Sequence, residues 1–258
     1  MKNLNSIRSS IRNNEYLGCT SGLAPNLVQA NLVVMEEEYA KEFIQYCYQN
    51  PKPCPVIGVS KVGDVSIPEL CDDLDIRTDV PEYYVFQDGE LKGSVPHIKG
   101  YWSEKMISIA LGCSFSFEDA LIQAGINIRN IDMGVNVSMY ETNIQTHATE
   151  NFSGNMVVSM RPFKQSQIDQ VIKITEPFSQ AHGAPVHIGS SEEIGVAELD
   201  NPQFGSPVTI KEDEIPVFWG CGVTTQKAIE QAQLPLVITH APGKMLITDR
   251  TYSELSSF

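Results

Sequence analysis

Apolar positions along the chain fall into short blocks whose spacing switches between helical and extended. Glu36-Glu37-Glu38 precedes Ala40, Phe43, Ile44 and Cys47, the i, i+3, i+4, i+7 pattern of a helix with acids at its positive end, and Asn50-Pro51 closes it. Past the stiff Pro51-Lys52-Pro53-Cys54-Pro55 segment, Val56-Ile57-Gly58-Val59 predicts a buried strand. Tyr83-Tyr84-Val85-Phe86 and residues 91–95 flank Asp88-Gly89, a dipeptide suited to the positive φ angles of a tight hairpin turn. Residues 102–111 read as helical, and Ser116-Phe117-Glu118-Asp119 reads as a capping box ahead of a helix over 120–124, stopped by Gly125. Residues 134–154 show little regular pattern, and Ile7 and Ile11 predict a first helix.

The last hundred residues suggest two strand–helix–strand units. Met156-Val157-Val158-Ser159-Met160, a helix over 165–176 and Val186-His187-Ile188 form one; residues 215–220, a helix over 224–232 and residues 236–239 form the other. The strands are almost free of charge, as in parallel strands covered by helices on both faces. Crossover units of that kind place strand ends, and any ligand, on one rim.

Composition narrows the function. The 258 residues carry 18 Lys+Arg against 32 Asp+Glu, a formal charge of −14 that opposes approach to nucleic acid and anionic lipid. No apolar run approaches the roughly 20 residues of a membrane span. The polar N-terminus has no apolar signal region; its Lys2, Arg8 and Arg12 without acids resemble a transit peptide in composition, but a first helix accounts for it better. Six cysteines without a C-x-x-C pair fit a reduced, cytoplasmic setting and no structural zinc. No internal repeat, Walker loop, G-x-G-x-x-G, G-x-S-x-G or H-E-x-x-H motif occurs.

Candidate chemistry gathers at the predicted strand ends. Arg161 is a natural fork for a substrate carboxylate, with a structural ion pair as the competing reading. Arg77, within Asp75-Ile76-Arg77-Thr78-Asp79, is a second candidate anion contact in a stretch otherwise read as a solvated loop. His240 before Ala241-Pro242-Gly243, His187 in its strand and His182 in a Gly-Ala-Pro turn are candidate acid–base groups, each weighed against a satisfied structural histidine. Trp219-Gly220-Cys221-Gly222 enters a helix, so Gly220 and Gly222 offer backbone N–H groups to an anion and Cys221 is a candidate nucleophile. Ser114 and Ser116 form a polar lip or a cap, and Gly243 allows close backbone approach to a ligand. The His182-x4-His187 spacing suits a divalent metal only where backbone geometry cooperates and lacks a third ligand, so no metal site is assigned and no cofactor is predicted, with a divalent metal as the alternative left open.

As a set these residues are recognisable. Gly22-Leu23-Ala24-Pro25, Val28-Gln29-Ala30-Asn31-Leu32, Asp75-Ile76-Arg77-Thr78-Asp79 and Gly112-Cys113-Ser114-Phe115-Ser116-Phe117-Glu118 come first. Val158-Ser159-Met160-Arg161-Pro162, His182-Gly183-Ala184-Pro185-Val186-His187-Ile188-Gly189, Phe218-Trp219 and Thr239-His240-Ala241-Pro242-Gly243 follow in order. The chain resembles the putative hydro-lyase family over residues 8–249, a family whose domain also occurs in the mitochondrial D-glutamate cyclase of animals. The resemblance implies an α/β fold, a three-layer α/β/α core with a smaller two-layer α/β subdomain. On this sequence that is a core of residues 1–130 and 206–258 and a subdomain of residues 131–205. Two departures stand out: Asn26-Leu27 where members carry a Gly-aromatic pair, and Glu141 where an Arg follows Met-Tyr.

The resemblance implies a carbon–oxygen lyase. The expected reaction adds or eliminates water on a small carboxylate, Arg161 anchoring it and a histidine moving the proton. Two alternatives stay open: D-glutamate cyclase-like ring closure of an amino acid, and a non-catalytic binder of small acids. The expected partner is a small carboxylate or amino acid, with neither nucleic acid nor membrane; the sequence leaves a homo-oligomer open.

Overall fold

The computed structural model describes residues 4–255, so Lys2 lies outside the described residues. The chain has an α/β fold built on two sheets. The helix α1 (Leu4–Arg12) buries Ile7 and Ile11 as its spacing predicts. The strand β1 (Leu27–Glu36) is buried along almost its whole length, because it lies at the centre of a seven-stranded sheet. The other strands of that sheet are β2 (Val56–Val59), β3 (Tyr83–Gln87), β4 (Glu90–Val95), β5 (Met106–Gly112), β10 (Val237–His240) and β11 (Leu246–Thr251). Their order is β2-β5-β1-β10-β3-β4, and β11 pairs with the N-terminal half of β1 while β10 pairs with its C-terminal half.

The helix α2 (Glu37–Gln49) has Glu37 and Glu38 in its first turn and buries Ala40, Phe43, Tyr46 and Cys47 against one face of this sheet. The helix α6 (Thr224–Ala232) adds Ala228 and Ile229 to the same cluster. The opposite face is covered by residues 60–82, which bring Ile67, Leu70, Leu74, Ile76 and Val80 onto Leu32, Val34 and Ile238. The acidic stretch within that segment is solvated only in part: Asp72 and Asp73 are exposed, whereas Asp79 is fully buried, its carboxylate held by Arg12 Nη2 at 2.6 Å.

The second sheet has four strands in the order β6-β7-β9-β8: β6 (Ser138–Gln145), β7 (Asn155–Lys164), β8 (His187–Ile188) and β9 (Glu214–Gly220). One face packs on α3 (Phe115–Gln123) and α5 (Ile168–Thr175) through Phe117, Leu121, Val171, Phe163, Val217 and Trp219. The other takes Ile194, Val196 and Val208 from irregular chain. Short helices α4 (Arg129–Met133) and α7 (Tyr252–Leu255) complete the set.

Several expectations are corrected. Every pairing in both sheets is antiparallel, so the two crossover units do not exist. The strands β7 and β8 flank β9 instead of pairing, and β9 and β10 lie in different sheets. Absence of charge reported burial on both faces, not strand direction. Residues 106–112 form the strand β5 and not a helix, since a short run buried on both faces has no periodicity to separate the two. The capping box at Ser116 does not form: α3 already begins at Phe115 and Ser114 makes no side-chain cap. The strand β2 sits at a sheet edge and is half-exposed. Residues 134–154 contain the strand β6.

The Asp88-Gly89 hairpin is as predicted, with φ of 50° and 76° at its two turn residues. Asn26 has φ of 65°, the left-handed conformation that glycine adopts freely and asparagine tolerates.

Candidate functional site

Two strand-to-helix turns cross from one sheet to the other. β5 belongs to the seven-stranded sheet while α3, which begins three residues after it ends, covers the four-stranded one. β9 belongs to the four-stranded sheet while α6 packs on the larger. Their turns, Gly112-Cys113-Ser114 and Gly220-Cys221-Gly222, meet at the seam, where Cys113, Phe115, Val157, Cys221 and Val223 share one cluster. Close approach there requires glycine. A Cβ on Gly112 would stand 1.6 Å from the Gln180 carbonyl oxygen, and one on Gly222 would stand 2.2 Å from the Asn31 side chain.

Arg161 lies on β7 at this seam, 1% exposed. Its Nε and Nη2 donate to Glu118 Oε1 at 2.9 and 2.6 Å, Nη2 also to Ser114 Oγ at 3.0 Å, and Nη1 to Ser159 Oγ at 3.1 Å. Its guanidinium carbon sits 5.3 Å from the Phe117 ring centroid and 5.7 Å from that of Trp219. Glu118, 2% exposed, accepts a further bond at Oε2 from Ser21 Oγ, 2.9 Å. A guanidinium has five N–H donors, so among the described residues one hydrogen on Nη1 is unspent. Ser114 and Ser159 each accept from Arg161, so their own O–H groups remain as donors.

His182 has φ of 76° and packs beside this centre. Its Nδ1 donates to the Lys52 carbonyl at 2.9 Å. Burial, helped by the charges of Lys52 and Arg161, pushes it down to about 4, so the ring is neutral at pH 7. The Gly112 carbonyl, on the same ring, favours the protonated form. Burial pushes the Cys221 thiol up to about 11, against the weaker pull of Arg161, and its Sγ rests 3.6 Å from Met139 Sδ. The helix start does not overcome desolvation, and the expected thiolate is corrected to a buried, neutral thiol.

The structure thus brings together Arg161, Ser114, His182, Cys221, Gly220 and Gly222. It separates the rest to different degrees. Arg77 is spent on Asp75 of its own turn, 2.9 Å from Nε to Oδ1, within the segment covering the far face of the large sheet. His187 pairs in register with Phe218, which opposes Met160; since neighbouring residues alternate, His187 occupies the sheet face opposite to Arg161. Its Nε2 donates to the Ser190 carbonyl at 2.6 Å. His240 ends β10 with Nδ1 against the Leu32 backbone, 3.1 Å from the amide nitrogen, and burial pushes it down to about 4. Ser116 is a fully buried pin, accepting the Gln29 N–H at 3.2 Å. Gly243 packs under Asn136 and accepts the Thr20 N–H at 2.9 Å, at the rim of the Ser21 segment.

Reading the sequence missed Glu118, Ser159, Ser21 and the pair Gln29 and Asn31. Glu118 was hidden by its resemblance to a helix cap; its place in the motif beginning at Gly112 was the available signal. Among the described residues, no group of three or more His, Cys, Asp or Glu is placed to hold a metal ion, and no helix is long and apolar enough to cross a membrane.

Comparison with known proteins agrees with the motifs on which the site is built. A family model described as D-glutamate cyclase matches residues 107–249, which include β5, α3, β7 and both crossing turns. The chain belongs to this family. Curated relatives named "Putative hydro-lyase" match nearly the full chain. The one from Aliivibrio fischeri is 50% identical over 98% of this chain and 95% of its own. Its counterpart in Shewanella woodyi is 51% identical over 99% and 95%, and one from Bordetella pertussis is 47% identical over 97% and 91%. Among solved structures, a nitrogen repressor-like protein from Methanococcus jannaschii aligns over 95% of this chain and 98% of its own at 9% identity, with a TM-score of 0.39.

Proposed function

We propose that the protein is a carbon–oxygen lyase that adds or eliminates water on a small carboxylate, with its centre at Arg161. The observation that carries this reading is the buried donor set: the unspent N–H of Arg161 and the hydroxyls of Ser114 and Ser159, arranged around one guanidinium at the seam. These groups hold the substrate carboxylate, while Glu118 keeps the other edge of the guanidinium fixed. His182, neutral at pH 7, takes the proton from the carbon next to the carboxylate; the electrons of that C–H bond form the double bond, the bond to the neighbouring hydroxyl breaks with its electron pair, and the proton now on His182 passes to that oxygen, which leaves as water. In the reverse direction His182 returns the proton. The names of the relatives support the reaction class.

The description of the family model favours a second reading, ring closure of an acyclic amino acid. There the amine attacks the side-chain carboxyl, a C–N bond forms and water leaves, with no need to break the bond to the α-hydrogen. A thermal-shift screen of small hydroxy and amino acids identifies the ligands. Incubating those ligands with the protein in heavy water then separates the readings. Exchange at the α-carbon, lost in His182→Asn, supports elimination; ring formation without exchange supports cyclisation. Binding with neither turnover nor exchange overturns both and leaves a binding protein.

A further inference from the structure

The strand face that carries Gln29 and Asn31 takes no part in the chemistry above. Side chains two apart on β1 point to the same side of the sheet. Gln29 is 2% exposed; its Nε2 donates to the Thr20 carbonyl at 3.0 Å, and its Oε1 has no partner. Asn31 donates through Nδ2 to the Gly112 carbonyl at 2.7 Å, and among the described residues its Oδ1 receives no hydrogen bond. In each amide the nitrogen is committed to a backbone carbonyl, which fixes the oxygen as the acceptor; a half-turn would set oxygen against oxygen.

These acceptors border the Arg161 centre. The backbone N–H of Gln29 goes to Ser116, two residues from both Ser114 and Glu118. Thr20, which holds its side chain, adjoins Ser21, the residue that donates to Glu118. Asn31 lies against Gly222, beside Cys221. A buried acceptor without a donor is costly, and a carboxylate cannot satisfy it.

We infer that Gln29, with Asn31 beside it, accepts a hydrogen bond from a hydroxyl or ammonium group on the bound carboxylate and thereby sets which acids the site admits. This inference rests on the carboxylate site proposed above. Arg161 reads the charge common to all small acids; Gln29 discriminates among them by the donor they carry.

Matched acids test it: succinate against malate and aspartate, and glutarate against 2-hydroxyglutarate and D-glutamate, each titrated into the protein with the melting temperature as readout. In whichever series binds, a donor-bearing member is expected to bind about tenfold tighter than the plain diacid. Gln29→Met brings the two within about twofold and leaves the affinity of the plain diacid unchanged. If that variant does not fold, the assigned side-chain amide resonance of Gln29 in the unaltered protein is the second readout, shifted by the donor-bearing acid and not by the plain one. Equal binding of plain and donor-bearing acids, an undiminished preference in Gln29→Met, or a Gln29 resonance that ignores the donor overturns the inference and leaves the carboxylate site standing. Failure of every acid in both series to bind overturns the carboxylate site itself, and the inference with it.

Discussion

Lowering the pH from 7.5 to 5.5 should cost the protein about 3 kcal/mol of stability, and two residues account for it. His182 and His240 are both buried, and burial pushes both from an ordinary 6.5 down to about 4. The unfolded chain therefore binds a proton at each as pH falls through 6.5, while the folded chain refuses it until about pH 4. The stabilisation is complete above pH 6.5, declines through the interval between the two values, and is gone below the lower one. Each pKa unit corresponds to about 1.4 kcal/mol, so each histidine commands about 3 kcal/mol over the full interval and about half of that by pH 5.5. Carboxylates that the fold holds below their ordinary range, Asp75, Glu42 and Glu82 among them, stay ionised down to more acid pH, which leaves the upper window to the histidines. Urea unfolding at pH 7.5, 6.5 and 5.5 measures the slope. His240→Asn keeps an acceptor for the Leu32 N–H and removes the titration, so it should halve the loss. A stability unchanged between pH 7.5 and 5.5, or a full loss surviving in His240→Asn, would refute the reasoning.

Glu118→Ala leaves the Arg161 guanidinium buried without its carboxylate and should destabilise the fold by about 3–5 kcal/mol in chemical denaturation. The double variant Glu118→Leu with Arg161→Met should recover much of that loss. Gly222→Ala forces a methyl into the Asn31 amide and should cost about 1–3 kcal/mol; adding Asn31→Ala to it should restore a melting temperature close to that of Asn31→Ala alone.

What could be read from the sequence was what the chain decides locally. Residues 36–49, the Asp88-Gly89 turn and residues 224–232 declare themselves because one amphipathic face or one turn geometry suffices. Residues 106–112 do not, since a strand buried on both faces loses its alternation. Strand direction was equally hidden: nothing between residues 164 and 187 states that the strand β9, still to come, will insert between β7 and β8. The site was legible in its residue types and only partly in its partnerships. Arg161 was recognisable as a charge needing a partner, but that partner, Glu118, lies 43 positions away on α3, the helix that follows the crossing turn after β5. His187 and Arg161 share a stretch of sequence and yet face opposite ways, a consequence of register that spacing alone does not carry.

The position of β1 governs how the molecule comes into being. This early strand leans on β5 from mid-chain and then on β10 and β11, with Leu27 matched to Thr251 close to the other end of the chain. During synthesis its second edge stays open until β10 and β11 have left the ribosome. Closure of this sheet therefore waits on β10 and β11, and pairings this distant in sequence are the slow kind. Until that closure the apolar length of β1 is the part of the nascent chain that most needs shielding from other chains.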